Sequence, residues 1–186
     1  MEINVSKIYQ YLNIKKHELI SEQLYQYVLN HRPDILEKKI FWNTLDTEHV
    51  LAEIPELFPA VSLEIPARIV TIAIFYCPPG FAGGIHIDSN VLDYRILWPV
   101  HNCKGSYTKF FDLNGNQLVE KFSGGADPYL EVEEKYPLIE IDSVETIAPF
   151  VFHVKTPHGI YTNLEHTGPR LTCTIGFDYP LENFLK

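Results

Sequence analysis

From Pro66 to Tyr179 the chain is written as short runs rich in β-branched and aromatic residues, parted by turn residues, and no 3.6-residue apolar period persists in that stretch. Strands this short must find their partners far along the chain. The architecture that gives them partners with few open edges is a closed or two-sheet β-fold of jelly-roll type. The runs predicted as strands are Ile69–Tyr76, Gly84–Asp88, Tyr94–Val100, Thr108–Asp112, Gln117–Phe122, Ile147–Lys155 and Leu171–Tyr179. Asn114-Gly115 supplies a two-residue turn, so Lys109–Asp112 and Gln117–Glu120 are expected to pair as a hairpin.

Before Pro66 the period changes. Leu19, Ile20, Leu24, Tyr27 and Val28 fall at helical spacing between about Lys16 and Asn30, which predicts a helix with one buried stripe, stopped by Pro33. A second helix is predicted from Asp46 or Thr47 into Leu57, with Pro59 just beyond its end. At 186 residues, with no repeat, low-complexity tract or linker, the chain is expected to be one domain. Its first 65 residues would form a helical segment packed on a β core spanning 66–186.

The charge excludes one class of partner. Fifteen Lys and Arg stand against 24 Asp and Glu, a net charge of −9. Residues 41–186 hold nine basic and nineteen acidic residues, so the β core is acidic. Affinity for duplex nucleic acid comes mainly from Lys and Arg replacing phosphate counterions, so dedicated duplex binding is not expected. Cys77, Cys103 and Cys173 show no C-x-x-C spacing, which argues against a disulfide framework or a thiolate zinc site. No secretory signal follows Met1, and the uncharged run from Ile69 is broken by Pro78-Pro79-Gly80 and Gly83-Gly84. A cytoplasmic protein with no membrane span is therefore expected.

The segment richest in chemistry is Gly83-Gly84-Ile85-His86-Ile87-Asp88. On an extended strand His86 and Asp88 project from one face while Ile85 and Ile87 point to the other. An imidazole and a carboxylate so placed are two members of a facial metal triad; a distal His would complete it. H-x-D alone is weak, since a strand His beside an Asp is more often a simple hydrogen-bonded pair. Its weight comes from Thr156-Pro157-His158-Gly159, followed twelve residues after His158 by Arg170-Leu171-Thr172 at the start of a β-rich run.

In this order of residues the chain resembles the Fe(II)- and 2-oxoglutarate-dependent oxygenases, whose double-stranded β-helix, a cupin-like jelly roll, carries H-x-D, a distal His and then Arg-x-Ser/Thr about a dozen residues later. The resemblance spans roughly 69–179 and is nearest the small prolyl- and aspartyl-hydroxylase-like members, including phage and bacterial ones. It implies a mainly β fold and a metal set of His86, Asp88 and His158 holding Fe(II). It further implies that Arg170 forks onto the distal carboxylate of 2-oxoglutarate, with Thr172 adding a hydroxyl donor. The implied reaction consumes O2 and 2-oxoglutarate, releases succinate and CO2, and hydroxylates a C–H bond of a small-molecule or peptide substrate.

His153 and His166 compete for the distal position. They lie seventeen and four residues before Arg170, outside the family's spacing, and read instead as a strand-packing residue and a loop residue. Tyr76, at the end of the strand leading into the H-x-D turn, and Asn102 are further candidates for co-substrate contacts, each with a structural role equally open. The acidic stretch containing Glu131, Glu133, Glu134, Glu140, Asp142 and Glu145 reads as a solvated face or loop, with binding of a basic substrate as the alternative. Two other functions fit parts of the pattern: a cupin-like metalloenzyme that does not use 2-oxoglutarate, and a non-catalytic jelly-roll binding protein in which His86 and Asp88 are a polar strand pair.

Overall fold

The structure is a computed structural model and describes residues 8–39, 41–88, 93–122, 128–165 and 167–179. In chain order its elements are β1 Tyr9–Tyr11, α1 His17–His31, α2 Asp34–Glu37, β2 Trp42–Thr44, α3 Thr47–Glu53, α4 Leu57–Ser62, β3 Ile69–Cys77, β4 His86–Asp88, β5 Tyr94–His101, β6 Tyr107–Asp112, β7 Gln117–Phe122, β8 Pro128–Glu133, β9 Ile139–Glu145, β10 Phe150–His153, β11 His158–Tyr161 and β12 Arg170–Phe177. The strands form two six-stranded antiparallel sheets, ordered β1-β10-β5-β12-β3-β2 and β7-β8-β4-β11-β6-β9. This is the mainly β jelly roll expected from the strand pattern.

Helix α1 buries Ile20, Leu24, Tyr27 and Val28 against the first sheet, whereas Leu19 stays 53% exposed. Leu19 was expected in the same stripe, but it is rotated by about 100° from Ile20 and clears the contact. The N–H of Arg32 closes the helix on the Val28 carbonyl, and Pro33 opens α2. Asp46 caps α3 by accepting the His49 N–H at 3.1 Å. That helix ends earlier than expected, at Glu53, because Pro55 disfavours helical geometry at Ile54. Pro59 lies inside α4 rather than beyond a helix; in the first turn its missing N–H costs no hydrogen bond.

Two apolar layers result. On one face of the first sheet, Leu24, Val28, Val50 and Leu57 from the helices pack against Ile74, Trp98 and other strand residues. Trp98 is fully buried, yet its indole N–H donates to Ser21 Oγ at 3.0 Å, so the ring brings no unmet donor into that layer. Between the sheets lies a second cluster of Leu97, Phe110, Phe150, Phe152 and Val154. Strand β12 separates the two layers. Leu171, Cys173, Ile175 and Phe177 join the helix-facing core, so Arg170 and Thr172 turn towards the other sheet.

The expected hairpin is corrected by the pairing. Asn114 and Gly115 do adopt positive φ (47° and 81°), and the Asn116 N–H closes the turn on the Leu113 carbonyl at 2.8 Å. The strands on either side nonetheless part: β6 pairs with β9 and β11, and β7 pairs with β8. The Asn116 carboxamide oxygen takes the N–H groups of Lys135 and Tyr136 at 2.6 and 2.8 Å, tying the turn to the β8–β9 connection. Strands β8, β9 and β11 were not expected, and the acidic residues read as solvated are carried on β8, its connection to β9, and β9. Within the first 65 residues β1 and β2 extend both edges of the first sheet. The strand expected over 147–155 is shorter, since Ile147 is exposed and β10 begins at Phe150. Among the described residues no helix is long and apolar enough to cross a membrane.

Candidate metal centre

The second sheet brings the two halves of the motif together. Strand β4 is three residues long and pairs with β11 so that His158 lies directly opposite His86. Paired residues share a face, and Asp88 is two residues along that face. One ligand atom from each of His86, Asp88 and His158 lies within 4.8 Å of the others. The His86 and His158 ring centroids are 4.6 Å apart, and His86 Nε2 is 3.6 Å from Asp88 Oδ1.

The backbone sets which nitrogen of each ring faces the others. His86 Nδ1 is 2.9 Å from the Gly84 carbonyl and His158 Nδ1 is 2.9 Å from the Thr156 carbonyl. A carbonyl only accepts, so each Nδ1 carries a proton and Nε2 is the nitrogen left to ligate. This is the orientation by backbone carbonyls that ligating imidazoles require. Burial, reinforced by His86, pushes the His158 pKa down to about 4, so this ring is neutral near pH 7. The Phe110 and Phe152 rings lie 6.4 and 5.2 Å from it and close its inner side. Two imidazoles that present Nε2 and a carboxylate are a donor set suited to a divalent iron and leave positions free on the opposite side.

Past Phe110 the space between the sheets turns polar. Arg170 is fully buried; its Nη2 donates to Thr146 Oγ1 at 3.0 Å, while Nε and Nη1 have no hydrogen-bond partner among the described residues. Ser106 Oγ, Thr108 Oγ1 and Thr172 Oγ1 are likewise buried without a partner there. The Cys77 and Cys103 thiols lie beside the guanidinium, where burial raises their pKa and Arg170 offsets part of the rise. As weak acceptors they do not satisfy its free edge in distance and angle. A buried cation with two unbonded N–H groups, and with the unbonded Thr172 hydroxyl two residues along the same strand, fits a carboxylate-bearing ligand.

Two expected contacts fall elsewhere. Tyr76 pairs with Leu171 while Cys77 pairs with Arg170, so Tyr76 sits in the helix-facing core on the opposite side of β3. Asn102, with φ of 51°, turns the chain after β5, and its side-chain amide donates to the Pro169 carbonyl at 3.2 Å. That bond braces the run into Arg170. His153 accepts or donates at Thr156 Oγ1, 2.9 Å away, and its ring lies tilted against Tyr94. His166 lies outside the described residues. Thr146 was not foreseen as a partner of Arg170, because it lies just past β9, 24 residues earlier in the chain, and reaches the guanidinium only through the fold.

No family model and no curated protein matches the chain. Solved structures do match in fold. A Pseudomonas putida prolyl-4-hydroxylase superposes with a TM-score of 0.51 at 14% identity, covering 93% of both chains. A Trichoplax adhaerens prolyl hydroxylase, solved with a hypoxia-inducible-factor peptide, gives a TM-score of 0.52 at 13% identity over 92% of this chain and 83% of that one. The epimerase SnoN, solved with Fe3+ and α-ketoglutarate, gives 0.52 at 13% identity over 92% and 78%. The chain thus shares its fold with solved prolyl hydroxylases and with an epimerase that was solved with iron and α-ketoglutarate.

Proposed function

We propose that the protein is an Fe(II)- and 2-oxoglutarate-dependent dioxygenase that hydroxylates a small-molecule or peptide substrate. The observation that carries this reading is the convergence of two Nε2 lone pairs and the Asp88 carboxylate within 4.8 Å, beside a buried Arg170 whose Nε and Nη1 are unbonded. His86, Asp88 and His158 hold the metal, and their single carboxylate leaves the centre a net positive charge towards an anionic co-substrate. With O2, the bound iron supplies the oxidising power that converts 2-oxoglutarate to succinate and CO2 and places one oxygen atom on a substrate C–H bond.

The chain's own residues bind, orient and keep water out. Arg170 offers Nε and Nη1 to the distal carboxylate of 2-oxoglutarate, and Thr172 offers a hydroxyl donor from the same strand. The Thr146 hydroxyl holds the remaining guanidinium nitrogen and so fixes the plane of the fork. Phe110 and Phe152 wall His158 off from solvent, which keeps its ring neutral and able to ligate. Cys77, Cys103 and Thr172 pack round the guanidinium without a competing anion, so among the described residues no ion pair has to break before the co-substrate enters.

Incubation of the iron-loaded protein with 2-oxoglutarate and O2 tests the proposal. Succinate should form slowly without any second substrate, and His158→Ala should abolish it. Succinate formation equal in the two proteins, or absent in the wild type at saturating 2-oxoglutarate, would overturn the reading.

A further inference from the structure

The face that carries the triad continues onto β8. Glu131 is paired with His86 and Tyr129 with Asp88, so all four side chains project from the same side of the sheet. The Tyr129 ring meets the His86 ring edge-on with centroids 5.8 Å apart, and its hydroxyl donates to Glu131 Oε2 at 3.3 Å. Burial and the Glu131 charge raise the Tyr129 pKa, which keeps this donor protonated. Gly84 leaves this carboxylate room: a Cβ there would stand 3.3 Å from Glu131 Oε1. The carboxylate leans into that space beside His86.

Among the described residues no Lys, Arg or His nitrogen comes within 4 Å of the Glu131 carboxylate, although other cations of this sheet are engaged. Lys109 pairs with Glu140 at 2.7 Å, Lys135 with Glu133 at 3.1 Å, and the Lys155 ammonium donates to the Asp88 carbonyl at 2.9 Å. Lys121 shares the Tyr129 row one strand further out and is exposed, without an ion pair to Glu131. A half-buried carboxylate lacking a counter-charge, one residue pair from the metal ligands and flanked by a Tyr ring, suits a ligand that brings the positive charge with it.

Resting on the oxygenase reading, we infer that the substrate carries a cationic nitrogen, as an ammonium or guanidinium, which Glu131 and Tyr129 bind next to the metal centre. Its hydroxylated carbon then lies within one side chain's length of that nitrogen. Glu131 is a specificity-determining residue on this account and takes no part in holding the metal or 2-oxoglutarate.

The test uses the full chain loaded with Mn(II) and 2-oxoglutarate, and the N-acetyl amides of lysine, arginine, norleucine and glutamate as probes. Line broadening of each probe's proton resonances by the bound Mn(II) reports its proximity to the centre, and calorimetry first establishes that Mn(II) and 2-oxoglutarate bind. The lysine or arginine probe should be broadened and should bind about tenfold more tightly than norleucine, an advantage that Glu131→Gln removes and Glu131→Lys transfers to the glutamate probe. Equal broadening by the cationic and norleucine probes, or a preference untouched by Glu131→Gln, would overturn the inference while leaving the oxygenase reading in place. Failure of Mn(II) or 2-oxoglutarate to bind the wild type would sink the oxygenase reading itself.

Discussion

Strand β12 has two faces made from alternating residues, and they are built to opposite rules. Leu171, Cys173, Ile175 and Phe177 enter a layer in which helix and strand side chains satisfy one another by packing alone. Arg170 and Thr172, interleaved with them, are just as deeply buried but leave Nε, Nη1 and Oγ1 without partners among the described residues. Each apolar side chain buried on the first face contributes roughly 1.5–3 kcal/mol relative to exposure. Each unmet polar atom on the second costs about 1–3 kcal/mol. A strand repeat of two residues thus lets one segment hold the fold on one side and, at a cost in stability, carry on the other the unbonded donors proposed to bind the co-substrate.

The two faces separate cleanly under mutation if this account is right. The largest effect belongs to the inner face. His158→Ala should lower divalent metal affinity by more than the roughly 10–100-fold expected from loss of an outer partner, as read by calorimetric titration with Mn(II). Leu171→Ala comes next and acts on the other property. Urea unfolding should show a loss of about 2–5 kcal/mol with Mn(II) affinity unchanged. If Leu171→Ala weakened metal binding as much as it weakened the fold, the separation would fail.

The pH dependence sharpens the same contrast. The His158 pKa is about 4 in the folded chain against an ordinary 6.5, so between these values the unfolded state binds more protons. Stability of the metal-free protein should be fully present above about pH 6.5 and fall as pH drops towards 4, by on the order of 3 kcal/mol from this group. A His158→Phe variant should lose that limb of the curve, which urea midpoints measured from pH 7 to pH 4 would reveal. The smallest effect is expected for Thr172→Val. Replacing an unbonded buried hydroxyl with a methyl should leave the melting temperature unchanged or slightly raised, while 2-oxoglutarate affinity falls about tenfold.

What the sequence reveals of this arrangement follows from how far each signal reaches. Helix α1 is legible because Ile20, Leu24, Tyr27 and Val28 repeat within one element. The H-x-D order, His158 and Arg170-x-Thr172 are legible because each motif is local and their spacing is countable. Pairing is not local. The Asn114-Gly115 turn forms as expected, yet cannot dictate that β6 goes to β9 and β7 to β8. Tyr76 shows the same limit at the site. Its strand is evident, but only the registration of Cys77 with Arg170 reveals that Tyr76 faces the helices. The acidic strands β8 and β9 read as a loop because their Glu residues are charged, so Glu131 is visible as an acidic residue but only the pairing puts it and Tyr129 beside the triad.

The central claim is that the unmet donors of β12 await a carboxylate brought to a metal. Calorimetric titration of 2-oxoglutarate into the Mn(II)-loaded protein, with the wild type and Arg170→Met side by side, tests it most directly. The account predicts one equivalent bound by the wild type only when Mn(II) is present, and affinity at least a hundredfold weaker, roughly 2.7 kcal/mol, in Arg170→Met. Equal binding by the two proteins, or none by the metal-loaded wild type, would contradict it.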